Sequence, residues 1–251
     1  MRNINEEVLI LQLRPLKEAT KLLICFSRGN GKLKLIVKGA SKTLSKNAPS
    51  LDPGNHVKIQ YYKSKSEFDL LLQTNIVSSY SNLKASGLGI ATIFYIIEIL
   101  NFFTIEDASQ EDLFVLVIDI LDYLEENLDR VLPTLAYFQI RCLEIFGFEP
   151  DLLNCSICNE PFKLGKPRKN IIQSNSLGYV CENHFDVKDD SDLVEDTILK
   201  VQKYLNKKDF SELDIIKLTE EQWLKILTIQ NNWIQSVIEK EIKSYRMILN
   251  G

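Results

Sequence analysis

The fold of the N-terminal third is decided by the stretch Lys21–Lys38, which reads KLLICFSRGNGKLKLIVK. It contains two short apolar runs, Lys21–Phe26 and Leu33–Val37, on either side of the turn-forming Arg28–Gly31. Runs of this length that are bounded by Gly and Asn predict two β-strands joined by a hairpin. Three further runs have the same character: Val8–Leu13, Val57–Tyr62 and Leu70–Thr74.

Five short strands within about 75 residues predict a small Greek-key barrel, for which an OB-fold is the natural candidate. From Gly87 onward the apolar residues follow a helical period instead. We expect helices near 88–103, 110–127, 133–146, 193–205 and 219–249, the first of them buried because it is apolar nearly all round. The predicted fold class is α+β, with an OB-fold domain at 1–80, a helical domain at 81–150 and 187–251, and a module at 151–186 inserted in the helical domain.

The net charge of −4 hides an uneven distribution. Residues 1–80 hold 13 Lys/Arg against 6 Asp/Glu, whereas the remaining residues hold 17 against 28. A basic N-terminal third on an acidic body predicts an anion-binding module joined to a body with other partners. The alternative is a solvated lysine-rich surface without a specific anionic partner.

The third predicted strand carries the pattern that favours a nucleic acid. Its apolar residues alternate with cations, so that Lys32, Lys34 and Lys38 share one face on which alternate positions lie about 7 Å apart. Lys42 and Lys46 continue the run in a loop that contains Gly and Ser. A basic groove with stacking rings is how OB-folds hold single strands. The predicted DNA contacts are Arg14, Lys17, Lys21, Arg28, Lys32, Lys34, Lys38, Lys42 and Lys46.

Aromatic residues of the same domain could either stack on bases or pack in the core. Core packing is favoured for Phe26, which lies in an apolar run. Tyr61 and Tyr62 point to opposite faces of one strand, so at most one of them belongs to the core. Phe68 is the remaining aromatic candidate.

Three of the five cysteines and one of the two histidines lie within 30 residues of one another. They form two pairs, Cys155/Cys158 and Cys181/His184, whose spacing is typical of a structural Zn²⁺ site. Four ligands close the tetrahedron and leave no position for a reacting water, so the metal is expected to be structural. The alternative is buried or disulfide-paired cysteines, although disulfides belong to oxidising compartments. The other two cysteines are expected to be core thiols: Cys25 and Cys142.

The sequence shows no catalytic constellation. His56, the histidine outside the zinc pattern, has no nucleophile motif nearby, and neither a phosphate-binding loop nor a deaminase H-x-E motif is present. The acidic run 189–192 resembles a nuclease metal site but is more typical of a solvated loop. The start of the chain has no signal-peptide character, and the apolar stretch 90–103 is too short to span a bilayer. We therefore expect a cytoplasmic protein without an active site.

Several motifs resemble the RecO family of bacterial recombination mediators. Leu13–Leu23 is similar to that family's R-P-x-x-E-x-x-R/K-L-L opening, and Gly31–Leu33 followed by Lys38–Ala40 is similar to its G-K-L…K-G-A signature. Phe138–Leu152 resembles the family's helix end before the zinc segment. The resemblance covers about residues 8–190. Two features depart from the family: His184 stands where cysteine is more common, and the turn before Gly31 reads Arg-Gly-Asn.

The resemblance implies an N-terminal OB-fold, a helical body and a zinc module. It implies binding of single- and double-stranded DNA, annealing of complementary strands, and help in loading RecA onto DNA coated with single-stranded-DNA-binding protein. The implied partners are RecR and the single-stranded-DNA-binding protein, and the implied location is the cytoplasm, in association with the nucleoid. Two other hypotheses stay open: a zinc-containing adaptor whose basic domain binds an acidic protein, and a metal-dependent nuclease.

Overall fold

The structure is a computed structural model of the chain and describes residues 3–17, 20–38, 48–64, 67–173, 176–185, 193–207 and 210–250. It divides into two compact units, Met1–Leu128 with Asn250–Gly251 and Asp129–Leu249. The division into three parts that the sequence suggests stays a prediction. The two units are described in turn.

The first unit begins with a barrel of five strands, β1 Asn3–Lys17, β2 Thr20–Ser27, β3 Gly31–Lys38, β4 His56–Tyr62 and β5 Asp69–Ser78. The strands close in the order β1-β2-β3-β5-β4, with parallel pairing between β3 and β5 and antiparallel pairing between the other neighbours. β1 serves two neighbours because its first half pairs with β4 and its second half with β2. The predicted OB-like barrel and the α+β class are confirmed.

The alternation along β3 explains how the barrel acquires a core. Leu33, Leu35 and Val37 are buried, whereas the lysines between and after them are partly or fully exposed. Because the side chains of a strand alternate with a period of two residues, one face of β3 points inward and the other outward. The interior is filled by side chains from all five strands and from the 3₁₀ turn Ala48–Leu51: Val8, Ile10, Leu23, Cys25, Leu33, Leu35, Val37, Leu51, Val57, Ile59, Tyr61 and Leu71.

Helices α1 Ser81–Ala85, α2 Gly87–Phe103 and α3 Glu111–Glu126 follow the barrel in the first unit. Ser86 caps α2, since its Oγ accepts a hydrogen bond from Gly89 N (3.3 Å), and much of the helix is buried as predicted. On α3 the ring of Phe114 lies 5.5 Å from the ring of Phe26 on β2. The outer face of β2 is therefore covered by a helix, and Phe26 is a core residue as predicted.

The hairpin between β2 and β3 receives the connection between α2 and α3. Gly31 has a φ of +66°, and a Cβ on it would lie 2.4 Å from the carbonyl oxygens of both Ile105 and Ala108. Lys32 N donates a hydrogen bond to Ile105 O (2.9 Å). Only glycine tolerates both the left-handed backbone and this close approach. The α2–α3 connection is therefore seated directly on the hairpin.

The second unit contains helices α4 Val131–Ile145, α5 Asp196–Leu205, α6 Glu220–Ile238 and α7 Tyr245–Leu249, and the hairpin β6 Arg168–Gln173 with β7 Ser176–Cys181. The predicted stop of α4 is confirmed, because Gly147 has a φ of +76° and Phe148 N donates to Leu143 O (2.8 Å) in a Schellman motif. Among the residues that the structure describes, no helix is long and apolar enough to cross a membrane.

The core of the second unit joins its hairpin to α6. The ring of Trp233 lies 5.6 Å from the ring of Tyr179 on β7, and its Nε1 donates to Asn170 Oδ1 on β6 (2.8 Å). Tyr179 in turn donates its hydroxyl to the side-chain oxygen of Gln202 on α5. The hairpin is thus fixed to two helices through buried aromatic and amide groups.

The single predicted helix 219–249 is wrong in its second half. Its start is correct, since Thr219 caps α6, but the helix ends at Ile238 because Glu239 adopts a φ of +53°. The chain then turns back, and Ile242 N donates to Gln235 Oε1 (2.8 Å). Apolar residues of α7 are buried after this turn, so the apolar pattern continues although the helix does not.

We expect Gly31→Ala to lower the free energy of unfolding by more than about 2 kcal/mol. The left-handed backbone alone costs roughly 1–2 kcal/mol for a residue with a Cβ, and the contact with two carbonyl oxygens adds to this cost. The matched control is Gly147→Ala, because Gly147 has a similar φ of +76° with no atom within 4 Å of its Cβ position. Urea denaturation of both variants measures the difference in free energy of unfolding. Equal losses in the two variants would show that the close contact of the α2–α3 connection with Gly31 contributes nothing to stability.

His56 gives the first unit a predicted pH dependence. Its ring is buried 6.0 Å from the ring of Phe114, and within the described part of the chain neither ring nitrogen has a hydrogen-bond partner. Burial lowers the pKa of His56 below its ordinary value of 6.5, and it outweighs the opposing effect of the carboxylates of Glu7 and Asp122. The neutral ring is therefore the form that the fold accepts.

Because the pKa of His56 is lower in the folded than in the unfolded chain, its contribution to stability is complete above about 6.5 and is lost as the pH falls toward the folded-state value. Urea denaturation between pH 7.5 and 5 should show a smaller loss for His56→Gln than for the wild type. Comparison at each pH cancels the other titrating groups. Parallel curves for the two proteins would contradict the assignment.

Candidate metal centre and nucleic-acid interface

The four predicted metal ligands come together in the second unit. The Sγ atoms of Cys155, Cys158 and Cys181 and a ring nitrogen of His184 all lie within 4.8 Å of one another. A regular tetrahedron with Zn–S bonds of about 2.3 Å places sulfurs roughly 3.8 Å apart. The Sγ atoms of Cys158 and Cys181 are 3.9 Å apart, and His184 Nδ1 lies 3.4 Å from Cys155 Sγ and 3.3 Å from Cys181 Sγ. The cluster could hold one metal ion of this kind.

Two tight turns deliver these ligands. In the first, Asn159 N donates to Cys155 O (2.9 Å), and Asn159 adopts a φ of +59° that reverses the chain after the second cysteine. In the second, Cys181 ends β7, and the 3₁₀ turn Glu182–His184 returns the imidazole toward it. Backbone bonds join the two parts, since Ser156 N donates to Tyr179 O (2.9 Å). Each of the two x₂ pairs, Cys155/Cys158 and Cys181/His184, therefore forms a tight turn that supplies two ligands.

The electrostatics of the cluster favour a cation. Burial raises the pKa of Cys155, but the backbone N–H groups of Cys158, Cys181 and Ile157 stabilise its thiolate and bring the pKa down to about 6. Burial and the neighbouring cysteines raise the pKa of Cys181. Three thiolates this close repel one another, and a divalent ion would remove that repulsion and release the remaining thiol protons.

The other two cysteines are not part of the metal-binding cluster. Cys25 is fully buried in the barrel interior and Cys142 is fully buried in α4. Burial raises the pKa of both thiols well above the usual range. Both are core thiols, as the sequence predicts.

The predicted DNA contacts of the first unit separate into two sets. We call the first set the strand-end cations: Arg14, Lys17, Lys21 and Lys38. The register places Lys17 beside Thr20 and Thr20 beside Lys38, so these two lysines lie in one row across three strands, about 10 Å apart. Arg14, Lys17 and Lys38 are exposed, whereas Lys21 is half-buried. Within the part of the chain that the structure describes, no carboxylate pairs with any of the four.

The second set, the hairpin cations, lies at the opposite end of β2 and β3 and consists of Arg28, Lys32 and Lys34. Arg28 donates from Nε (3.0 Å) and Nη2 (2.8 Å) to Glu111 Oε1 at the start of α3. Lys32 Nζ donates to the carbonyl oxygen of Asn101 (2.8 Å), and Lys34 pairs with the carboxylate of Glu106. All three cations therefore contact the helical part of the first unit.

The remaining predicted contacts and the aromatic candidates are placed unevenly. Lys42 and Lys46 lie outside the described residues. Tyr61 is buried and Tyr62 is only half-buried, which confirms that they face opposite sides of β4. Phe68 is half-buried as well. Tyr62 is thus the ring of β4 that reaches the surface.

A groove on the barrel surface does not coincide with either set of cations. It has a volume of about 450 Å³ and lies across β1, β4 and β5, where its lining includes Glu6, Glu7 and Lys58. Lys58 Nζ is paired with Glu7 (3.1 Å). Two carboxylates against one paired cation make this groove unsuitable for a phosphate backbone.

Glu106 and Glu111, the partners of the hairpin cations, were missed by reasoning from the sequence. Arg28 and Glu111 are 83 positions apart, and no local spacing links them. The available signal is indirect: a basic hairpin and two acids that flank a helix start occur in the same chain. Only the fold shows that they meet.

Models of two protein domains match this chain. The family model described as Recombination protein O N terminal matches residues 1–80, and the model described as Recombination protein O C terminal matches residues 86–246. The chain belongs to the Recombination protein O family. The resemblance seen in its motifs is confirmed.

Full-length relatives agree with this assignment to the Recombination protein O family. DNA repair protein RecO of Desulforamulus reducens is 23% identical over 95% of this chain and 91% of its own length. The proteins of the same name from Thermoanaerobacter sp. (strain X514) and Dehalococcoides mccartyi are 24% and 26% identical, over 100% and 90% of this chain and 98% and 87% of their own lengths. The chain is thus similar to these RecO proteins over both units.

We expect the purified protein to contain one Zn²⁺ per chain, and Cys158→Ser to lose it together with much of the stability of the second unit. Structural zinc contributes folding free energy on the order of 10 kcal/mol, since the site does not exist in the unfolded chain. Elemental analysis and thermal denaturation measure both effects. Cys142→Ala is the matched control and should keep its zinc, whereas His184→Cys should retain the metal because a thiolate is also a ligand. Full metal content in Cys158→Ser would exclude the assignment.

Proposed function

We propose that the protein is a non-catalytic mediator of recombination in DNA repair, which binds and anneals single-stranded DNA. The observation that carries this proposal is a set of exposed cations at one end of the barrel that have no carboxylate partner among the described residues, in a chain of the Recombination protein O family. In its cellular role it helps to load RecA onto strands coated with single-stranded-DNA-binding protein, together with RecR. Its place of work is the cytoplasm, on nucleoid DNA.

The DNA path of this proposal uses the strand-end cations and the predicted loop lysines Lys42 and Lys46. Lys17 and Lys38 present two charges in one row, and Arg14 adds a third charge three residues earlier on β1, so a phosphate backbone can lie across the ends of three strands. Lys38 is the last residue of β3, and the loop lysines follow it in the sequence. Neutralising phosphates releases counterions, which provides sequence-independent affinity.

The hairpin cations have a different role in this proposal. Arg28 would have to leave two hydrogen bonds to Glu111, and Lys34 would have to leave Glu106, before either could contact a phosphate. A carboxylate already supplies the anion that each one needs. We therefore assign the hairpin cations to the attachment of the barrel to its helices, and the strand-end cations to DNA.

Annealing follows from charge neutralisation without a chemical step. Two complementary strands repel each other through their phosphates, and a surface that neutralises part of this charge allows the bases to approach and pair. Neither histidine is available as a general base, since His56 is buried between strand and helix and His184 belongs to the metal cluster. If zinc is bound, Cys155, Cys158, Cys181 and His184 hold it, and its contribution is to fix the hairpin of the second unit.

One observation favours a second candidate function, an adaptor that binds an acidic protein. Two of the hairpin cations, Arg28 and Lys34, are bound by carboxylates of the same chain, so the basic surface of this barrel is able to recognise glutamate side chains. A labelled oligonucleotide bound to the intact protein, challenged with polyglutamate, separates the candidates. Displacement of the oligonucleotide by polyglutamate at equal charge concentration favours the adaptor, and retention of the oligonucleotide favours DNA binding. A nuclease would reveal itself by strand cleavage with Mg²⁺, which we do not expect.

We expect the double substitution Lys17→Gln and Lys38→Gln to weaken single-strand binding and to make it less dependent on salt. Each lost phosphate contact reduces the slope of log K against log salt by about 0.7, so the slope should fall by roughly 1.4. Fluorescence anisotropy with an oligothymidylate at several salt concentrations measures it. Annealing should slow in parallel.

The matched control is Lys34→Gln, which removes a lysine from the same barrel and should leave the slope unchanged, with little effect on stability because the Lys34–Glu106 pair is exposed. Lys217→Gln removes an exposed lysine of the second unit and should change neither property. If Lys34→Gln reduced the slope by about 0.7, the value for one lost phosphate contact, the division of the cations into two sets would be refuted.

A further inference from the structure

An exposed turn in the second unit presents a leucine between two lysines. The turn Lys163–Lys166 precedes β6, and Leu164 at its tip is 69% exposed, among the highest values of the large apolar residues that the structure describes. Lys163 and Lys166 flank it and are both exposed. A lone exposed leucine is ordinary on a protein surface. The way in which this one is held is not.

A buried charged residue fixes the backbone on both sides of Leu164. Arg168 is only 1% exposed, and its Nη2 donates to Lys163 O (3.3 Å) and to Asp196 Oδ1 (2.5 Å). The other oxygen of Asp196 accepts from Gly165 N (2.8 Å). The Arg168–Asp196 pair thus binds the carbonyl before Leu164 and the amide after it. Gly165 completes the turn with a φ of +73°.

Arg168 joins the turn to Asp196, the first residue of α5, and its guanidinium also packs near an aromatic ring. The guanidinium lies 5.6 Å from the ring of Phe162, and the Nε and Nη1 groups of Arg168 have no hydrogen-bond partner among the described residues. Burying an arginine with two unsatisfied donors is costly. What this cost provides is a rigid turn whose side chain points to solvent, which is an arrangement suited to contact with another molecule.

The charges around the turn indicate the kind of molecule. Lys163 has no carboxylate partner within the described residues, and Lys166 makes only a long contact of 3.7 Å with Glu182, while remaining 58% exposed. A base-paired nucleic acid combines an anionic backbone with flat apolar bases in its interior. An apolar side chain flanked by two cations is complementary to both features. Proteins that insert leucine between base steps use the neighbouring cations on the adjacent phosphates.

We infer that the Lys163–Lys166 turn is a second DNA contact, in which Leu164 inserts at an exposed base step such as the junction between single and double strand. Lys163 and Lys166 bind the phosphates on either side of that step. This inference rests on the proposal that the protein binds DNA, and it adds a contact with paired strands that the strand-end cations do not supply. In an annealing reaction, such a junction marks the point where the newly paired region begins.

The test uses the intact protein and a duplex with a single-stranded tail that carries 2-aminopurine at the junction. The wild type should raise the fluorescence of 2-aminopurine, because an inserted side chain unstacks it. Leu164→Ala should abolish most of the increase at saturating protein, with its affinity for a plain single strand unchanged within about twofold. The matched control is Ile215→Ala, since Ile215 is 70% exposed in the same unit and should behave as the wild type.

A second variant keeps the inference open to refutation if the fluorescence signal is small. Replacement of Lys163 and Lys166 by Gln should reduce the salt slope of junction binding by roughly 1.8, at about 0.9 per phosphate of a duplex. An unchanged slope, or an equal fluorescence increase in Leu164→Ala and the wild type, would overturn the inference. These results are distinguishable from a failure of the proposed function itself, in which the wild type would not bind the plain single strand at all.

Discussion

The close contact between the β2–β3 hairpin and the α2–α3 connection is the constraint on which the first unit depends. Gly31 lets two carbonyl oxygens approach to a distance that no side chain would permit. This approach brings Glu106 within reach of Lys34, and α3 starts where Glu111 meets Arg28. Exposed ion pairs contribute little energy individually. Here the backbone seat fixes their geometry, so the pairs determine which cations of the barrel remain available rather than how stable the barrel is.

The second unit solves a different problem with similar means. Its hairpin is too small to bury a core of its own, so it is held by polar and metal-binding groups at its open end and by aromatic packing close to that end. The cysteine and histidine cluster at the end of β7 and Arg168 at the start of β6 share this open end, since Arg168 pairs with Cys181, and Tyr179 packs against Trp233 two residues further along β7. Each of these anchors involves groups that would be unfavourable alone. Together they leave the preceding turn rigid and exposed.

The sequence was sufficient wherever the signal was local. Alternation in Leu33–Val37 predicted the inner face of β3, and the x₂ spacing predicted four residues that the structure brings together. It was insufficient where the contacting residues are distant in the sequence, or where a helix ends without the glycine that usually indicates its end. Glu239 ends α6 in a left-handed conformation that glycine usually adopts, so nothing in the pattern announced the turn. The pairing of Arg28 with Glu111 depends on the seating of two loops, which no spacing encodes.

The total charge of the chain is therefore a poor guide to what it binds. Charges separated by more than about 8–10 Å are largely screened at physiological salt, so a phosphate at the ends of β1–β3 responds to the cations beside it and not to acids elsewhere in the chain. Those acids are not spread at random, since two of them are bound to hairpin cations that would otherwise extend the basic surface along β3. These two ion pairs neutralise Arg28 and Lys34, whereas the strand-end cations have no carboxylate partner among the described residues. Under the proposed function, a DNA strand that is held only at their end of the barrel would keep its bases accessible to a second strand, as annealing requires, whereas a basic surface along the whole barrel would hold a single strand too extensively to release it.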